Sequence, residues 1–148
     1  MSDRTWKLSV MALAGVLVAA GPAYPDTLAK QIEVPGDRAY PESIAAAADG
    51  TLYVSSLASG GIARVRPGAS MAEPWIAPGA FGSRSTFGVF VDERSKLLLV
   101  CSNDASGMGV PGPGAVSGSY LKGFDLASGE GRLSVQLPGS KNLCNETT

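Results

Sequence analysis

The feature that most constrains this sequence is a unit of four short apolar runs that occurs twice along the chain. Each run is too short for a helix and none keeps a 3.6-residue period, so each predicts a β-strand. The 19 Gly and 10 Pro residues supply turns between the runs. Asp49-Gly50, for example, tolerates the positive φ of a tight hairpin turn between the first two strands. The predicted strands are 43–47, 51–56, 62–66 and 73–77 in the first unit, and 87–92, 96–102, 120–126 and 132–137 in the second.

The two units align over most of their length. The run Leu52-Tyr-Val-Ser-Ser56 matches Leu98-Leu-Val-Cys-Ser102, 46 residues later, and Val65 matches Phe124, 59 residues later. The difference of 13 residues is an insertion between the second and third strands of the second unit, within residues 103–118. Both fourth strands are followed by the same Pro-Gly pair, which marks the end of each unit.

A four-stranded unit that repeats after roughly 40 to 60 residues is typical of a β-propeller blade, a small sheet that buries its faces only against neighbouring blades. The sequence therefore predicts an all-β fold in which two four-stranded antiparallel blades form an incomplete β-propeller. Blade 1 covers about residues 42–79, blade 2 covers about 87–139, and 142–148 begins a third blade. Because propellers have about four to eight blades, we expect a fragment of a larger protein, with bare blade faces open to self-association.

The N-terminal segment, residues 1–23, has the pattern of a helical secretory signal peptide. Arg4 and Lys7 precede an uncharged run that begins at Leu8. This run of about 14 residues is shorter than the ~20 residues needed to cross a bilayer, and small residues at its end suit cleavage by signal peptidase. The alternatives are an uncleaved anchor or a buried helix. A signal peptide leaves residues 24–148 as the partial propeller and predicts a periplasmic or secreted protein without a stable membrane span.

Charge and cysteine content limit the partners and the chemistry. A formal net charge of -1 and a pI near 5.3 show no excess of basic residues, so we expect no nucleic acid partner. In an oxidising compartment Cys101 and Cys144 form a disulfide, or they are two small buried thiols of a β core. Their spacing fits no zinc site, and a chain without His lacks the commonest metal ligand and general base.

Propeller geometry predicts which residues meet at the central channel. The innermost strand of a blade lines the channel and begins at one rim, so Glu42, Phe87 and Asn145, which each open a unit, should converge around one mouth. The loop after the second strand returns to the same rim, which places the insertion of blade 2 over this mouth. Its Gly and Pro residues keep it out of the sheet, and it forms either a lid over a substrate pocket or an ordinary surface loop.

Three stretches resemble the SMP-30/gluconolactonase/LRE-like family of six-bladed propellers. They are Pro41-Glu-Ser-Ile44, the hairpin Asp49-Gly-Thr-Leu-Tyr-Val-Ser-Ser56, and Asn142-Leu-Cys-Asn145. The resemblance covers about residues 40–148. Similar hairpins occur in NHL-repeat and strictosidine synthase-like propellers, whereas a Glu that opens the first blade is more particular to the gluconolactonase type.

The resemblance implies a divalent metal at the top of the channel, calcium in the first place and zinc as the alternative. In such hydrolases the metal polarises a lactone carbonyl and activates water. Glu42 matches the first metal-ligating carboxylate, and Asn145 matches a substrate-contacting Asn, although Glu146 stands where the family has Asp. Phe87 is a candidate substrate contact, with packing as the alternative. Because calcium takes about six to eight oxygen ligands, we expect metal binding to be weak or absent in this chain.

These expectations lead to one main hypothesis and two alternatives. The main hypothesis is a fragment of an exported, metal-dependent lactone or ester hydrolase of gluconolactonase type, inactive alone, whose parent acts on a small-molecule lactone or sugar-acid ester. The first alternative is a non-enzymatic exported propeller that serves as a binding scaffold, of NHL or strictosidine synthase-like type, because a fold does not settle chemistry. The second alternative is a truncated product without function.

Overall fold

A computed structural model describes residues 31–37, 39–139 and 142–147 of the 148-residue chain. The predicted signal peptide lies outside these described residues. In the described part, no helix is long and apolar enough to cross a membrane.

The eight strands form two separate four-stranded antiparallel sheets, each with its strands in sequence order. The predicted all-β fold of two blades is therefore confirmed, and the strand ends differ from the prediction by no more than two residues. Blade 1 contains β1 (Pro41–Ala46), β2 (Leu52–Ser56), β3 (Ile62–Val65) and β4 (Glu73–Ile76); blade 2 contains β5 (Ser85–Asp92), β6 (Leu97–Asn103), β7 (Ser119–Asp125) and β8 (Gly131–Gln136).

The main core lies between the two blades, which stack with β1 next to β5. Side chains from one face of each sheet meet there, and Phe124 at the centre is 1% exposed. Trp75 of β4 packs on Tyr53 with ring centroids 4.8 Å apart, and a Cβ on Gly129 of blade 2 would lie 3.4 Å from its indole ring. Burial of apolar side chains between the sheets is the dominant stabilising term. The core consists of Tyr53, Ile62 and Ile76 from blade 1 and Val89, Val91, Leu98, Val100 and Phe124 from blade 2.

The far face of blade 1 is partly covered by the chain that precedes β1. Ile32 and Val34 line grooves together with Val54, which is only 5% exposed. The backbone of Glu33 pairs with the approach to β4, because its N–H donates to the Ser70 carbonyl (2.9 Å) and its carbonyl accepts from the Ala72 N–H (2.8 Å). The outer edge of blade 1 is therefore partly paired.

A short 3₁₀ turn at Ala80–Gly82 connects the blades and is held by a buried lysine. The Lys122 ammonium donates to the Phe81 carbonyl (3.0 Å) and to Ser134 Oγ (2.8 Å), and it lies over the Phe81 and Tyr120 rings. Burial lowers the pKa of this lysine. These contacts attach the linker to the inner face of blade 2 and fix how the second sheet follows the first.

Both inner strands contain a bulge at the same place, near their first residues. The pairing register shifts between Pro41 and Ile44 in β1 and between Thr86 and Val89 in β5. A bulge turns the strand and redirects side chains, and bulges often lie beside functional sites. Residue 42 of blade 1 and residue 87 of blade 2 therefore occupy equivalent positions, as expected from their places at the start of each unit.

Candidate functional site

The first residues of β1 and β5 and the segment after β8 lie side by side at one rim of the two-blade unit. The Val89 N–H of β5 donates to Ser43 Oγ of β1 at 3.3 Å. On its other side β5 meets the next segment, where the Gly88 N–H donates to the Asn145 carbonyl at 2.8 Å. Residues 142–147 thus lie against β5 at the end where it meets β1. Glu42 and Asn145 belong to the same rim.

Gly88 allows the close approach of this third segment. A Cβ at this position would lie 2.4 Å from the Asn145 carbonyl oxygen and 2.7 Å from Glu146 Cα, distances that a side chain cannot occupy. Only glycine permits this contact between backbones. Sequence reasoning missed Gly88, because a glycine inside a strand pattern signals a bulge or a close approach without naming the partner.

Residues 142–147 are held to blade 2 by one covalent bond and several hydrogen bonds. Cys144 forms a disulfide with Cys101, which decides between the two alternatives for the cysteines. The Asn103 side chain donates to the Cys144 carbonyl (2.8 Å) and accepts from its N–H (2.9 Å). Ser119 Oγ also donates to the Asn142 carbonyl. A buried amide that satisfies both backbone groups of one residue fixes that residue in place.

Phe87 lies beneath the rim and packs in a small second core. Its side chain is 6% exposed and contacts the cluster formed by Cys101, Ala105 and Cys144. The ring therefore supports the disulfide and offers little surface to the mouth. Contact between Phe87 and a substrate stays a prediction, and the burial of the Phe87 ring does not favour it.

The pKa of Glu42 is the most informative electrostatic property of the rim. Partial burial of its carboxyl group, and then the negative charge of Glu146, raise the pKa of Glu42 above its ordinary value of 4.5. Burial and a neighbouring like charge both disfavour the ionised form. The sequence did not indicate Glu146 as a site residue. It appeared there only as the residue that replaces the Asp of an Asn-Asp pair. The structure brings it close enough to Glu42 for the two carboxylates to interact.

The described residues do not by themselves form a complete metal site. Glu42 and Glu146 contribute carboxylate oxygens, but no group of three or more His, Cys, Asp or Glu side chains comes together in the described part of the chain. Calcium needs about six to eight oxygen ligands, and a structural zinc site about four ligands from nitrogen, sulfur or oxygen. Two carboxylates can attract a cation or accept hydrogen bonds from hydroxyl groups without enclosing a metal.

Arg84 holds the insertion of blade 2 against the body of the molecule. Its guanidinium is buried, donates through Nη1 to the Val116 carbonyl (3.0 Å) and through Nη2 to the Pro111 carbonyl, and pairs with Asp104 at 3.0 Å. Hydrogen bonds from Ser106, and then the charge of Arg84, lower the pKa of Asp104. Sequence reasoning missed Arg84, since nothing in its local pattern points to residues more than 20 positions away.

The insertion lies at the rim predicted for it and reaches blade 1. A Cβ on Gly60 of blade 1 would meet Pro113 at 2.8 Å. Tyr40 and Ser59 share with residues 109–112 an open cleft of about 410 Å³. The insertion therefore spans both blades at the end of the strands where Glu42 lies.

Comparison with models of protein families gives a match to the first part of the chain. Residues 27–65 match the family model described as strictosidine synthase-like, N-terminal. This stretch is less than half of the chain and contains Glu42 and the first hairpin. The match relates the chain to a family of six-bladed propellers that is itself related to the gluconolactonase-type propellers. No curated protein and no solved structure matches the chain.

Proposed function

We propose that this chain forms two blades of an exported β-propeller that serves as a binding scaffold, with a small polar ligand bound at the rim that carries Glu42. The observation that carries the proposal is the convergence of Glu42 and Asn145–Glu146 at one rim, beside β5. The match to strictosidine synthase-like propellers over residues 27–65 supports a propeller of this kind.

Two observations support export. The disulfide between Cys101 and Cys144 forms and persists in oxidising compartments. The basic and then apolar pattern of residues 1–23 is typical of a signal peptide. The proposed location is therefore the periplasm or the extracellular space.

The chemistry of the rim suggests the ligand class. Two neighbouring carboxylates accept hydrogen bonds, so they suit a ligand that presents several hydroxyl donors, or a weakly held divalent cation. The protonated form of Glu42, which burial and Glu146 favour, can also donate a hydrogen bond. A sugar lactone or a related polyol fits these groups.

Amide chemical shifts in NMR test this proposal. A sugar lactone and calcium, titrated separately, should shift the amides of Ser43, Gly88 and Val89 with dissociation constants of about 1 mM or weaker, since few groups contact the ligand. Glu42→Gln should reduce the affinity at least about threefold. Glu93→Gln, at the opposite end of the strands, is the control. Shifts that scatter over the surface, or that Glu42→Gln leaves unchanged, would refute the proposal.

A lactone or ester hydrolase is the second candidate for the parent protein. It is favoured by the place of Glu42 at the start of the first inner strand, and by the position of Asn145 at the same rim. On this hypothesis the present chain supplies substrate-orienting groups and lacks the remaining catalytic ligands, so it should not accelerate the opening of a sugar lactone. Measurable turnover by the purified chain, abolished in Glu42→Gln, would instead favour an independent hydrolase.

A further inference from the structure

The open cleft between blade 1 and the insertion of blade 2 has the size of a small-molecule site. Its volume of about 410 Å³ lies within the range of about 300–1,000 Å³ that is typical of such sites. One wall comes from the chain before β1 and the turn after β2, and the other wall is the insertion. The lining residues are Asp37, Tyr40, Ala58 and Ser59 on the first wall and residues 109–112 on the second.

The backbone of Tyr40 adopts a conformation that bulky residues rarely take. Its φ of 41° lies in the left-handed region, where a side chain is strained. Among the described residues other than glycine, only Phe81 and Lys96 share this region. The Phe81 ring packs against Phe124, and Lys96 lies in a hairpin turn. Tyr40 instead lines the cleft and is 50% exposed. Strain of this kind is concentrated at functional sites.

Both walls of the cleft are held in place by contacts within the chain. The Arg84 guanidinium donates to the Pro111 carbonyl of the insertion. On the side of blade 1, the Gly60 N–H donates to the Ser56 carbonyl (2.9 Å), and the Gly60 carbonyl accepts from Ser83 Oγ (3.3 Å). A cleft that is formed before the ligand binds loses little conformational entropy on binding.

Two polar side chains of the cleft can bind hydroxyl groups. Asp37 is exposed, and its carboxylate makes no ion pair or hydrogen bond with any other described residue. Ser59 Oγ accepts from the Gly61 N–H (3.2 Å), while its own O–H has no acceptor in the described part of the chain. The carboxylate can therefore accept a hydrogen bond from a ligand, and the Ser59 hydroxyl can donate one.

We infer that this cleft binds the ring of a sugar or of another cyclic polyol, with the Tyr40 ring against its apolar face. A sugar ring has hydroxyl groups at its edge and C–H groups on its faces, so it is bound by polar groups beside an aromatic ring. The inference rests on the proposed function and extends it to a ligand of two rings. The Cα atoms of Tyr40 and Glu42 are at most about 7.6 Å apart, because two peptide units join them, so one ligand can reach both.

Separate NMR titrations of the labelled chain with gluconolactone, which has one ring, and cellobionolactone, which has two, test the inference. Gluconolactone should shift the Ser43 and Gly88 amides of the rim that carries Glu42. Cellobionolactone should shift these amides and also the Ser59 and Gly109 amides of the cleft. Its affinity should be about threefold to tenfold higher, which corresponds to one additional ring contact.

Variants separate the ring of Tyr40 from its hydroxyl group. Tyr40→Ala should lower the affinity for cellobionolactone to that for gluconolactone, whereas Tyr40→Phe keeps the ring and should retain most of the difference. Asp37→Asn, at an exposed side chain, should weaken the binding of cellobionolactone alone by about twofold or more. Phe90→Ala removes an exposed ring of blade 2 and is the matched control, which should leave both affinities unchanged.

Three results would count against the inference or the proposed function. Equal affinities for the two lactones, without shifts in the cleft, would overturn the inference and leave the proposed function intact. An equal loss in Tyr40→Phe and Tyr40→Ala, or in Phe90→Ala, would also overturn it, because the Tyr40 ring face would then not be the contact. Absence of rim shifts with both lactones would refute the proposed function, and cleft shifts that Tyr40→Ala removes would still support the ring site. The amide spectrum of each variant shows whether it remains folded.

Discussion

Blade 1 and blade 2 have the same four-stranded plan but differ in what surrounds them. Blade 1 is covered by blade 2 on one face and partly by the chain before β1 on the other, where Ile44 remains 59% exposed, and its edge strand contains Pro74. In the described part of the chain, blade 2 packs against another sheet on one face only, and its edge strand β8 is exposed along almost its whole length. The difference shows that a repeated sequence pattern specifies a blade, whereas the neighbours of each blade decide how much of it is buried.

The connections within the two blades differ in a related way. In blade 1 a short turn joins β2 to β3, and it is held by hydroxyl groups, because Ser83 Oγ donates to the Gly60 carbonyl (3.3 Å) and Thr86 Oγ1 donates to the Gly61 carbonyl (3.0 Å). In blade 2 the longer insertion is held by Arg84, and the Cys101–Cys144 disulfide attaches the segment that follows. Blade 2 therefore depends on a covalent bond and a partly buried ion pair, where the short turn of blade 1 is held by hydrogen bonds from hydroxyl groups.

The largest expected effect concerns the matched core positions Val65 and Phe124. Phe124→Ala should lower the free energy of unfolding by about 3–5 kcal/mol, because it opens a cavity between the blades. Val65→Ala removes two methyl groups from the far face of blade 1 and should cost about 1.5–2.5 kcal/mol. Urea denaturation measures both. Equal losses would mean that the blades do not share a core.

Removal of the disulfide tests the dependence of blade 2 on its covalent bond. The double variant Cys101→Ala and Cys144→Ala should lose about 2–4 kcal/mol, since the bond closes a loop of 43 residues. Hydrogen exchange should accelerate most at Gly88, whose N–H donates to the Asn145 carbonyl. The Val54 amide in blade 1 is the internal control, and equal acceleration there would contradict a local role.

The first hairpin turns of the two blades provide a smaller comparison. Gly50 has a φ of 87°, and Lys96, its counterpart 46 positions later, has a φ of 58°, in the left-handed region that favours glycine. Lys96→Gly should therefore stabilise by about 0.5–1 kcal/mol, and Gly50→Ala should destabilise by about 1 kcal/mol. In thermal unfolding, the melting temperature should rise in the first variant and fall in the second. Shifts of the same sign would mean that the turns are not equivalent.

The smallest expected effect is a pH dependence of opposite sign at two glutamates of blade 1. The pKa of Glu42 is raised, so the folded state binds its proton more tightly, and stability falls as the pH rises from 4.5 through the raised value. The pKa of Glu73 is lowered, first by hydrogen bonds from Arg64, so its contribution is present above 4.5 and is lost as the pH falls through the lowered value.

Stability curves of the two Gln variants against pH measure this difference. Glu42→Gln should be slightly more stable than the parent chain at neutral pH, and Glu73→Gln slightly less stable. Both differences should vanish well below pH 4.5, where the native glutamates are protonated. A Glu42→Gln variant that is destabilised at neutral pH would show that its carboxylate makes a favourable contact instead.

Features that depend on neighbouring residues could be predicted from the sequence. The strands follow from short apolar runs between turn formers, and the turn at Asp49-Gly50 forms as expected, with Gly50 at positive φ. The equivalence of residues 42 and 87 followed from the place of each at the start of a unit and is confirmed by the matching bulges. The rim at which the insertion lies could also be predicted, because the direction of the second strand decides at which end of the blade the next loop begins.

Contacts between distant residues could not be predicted in the same way. Arg84 bonds to carbonyls 27 and 32 residues away, and Glu33 pairs with the chain before β4. The local sequence around each of these residues does not indicate which residue it contacts. The interaction of Glu146 with Glu42 depends on how closely residues 142–147 approach β5, which Gly88 controls.

The central claim is that β5 lies between β1 and the segment after β8, so that Glu42 and Glu146 share one rim. A nuclear Overhauser spectrum of the labelled chain tests it most directly. The account predicts cross-peaks from the Val89 amide to the Ser43 side chain, and from the Gly88 amide to the Asn145 and Glu146 backbone. Their absence, in a spectrum that shows the cross-strand peaks within each sheet, would contradict it.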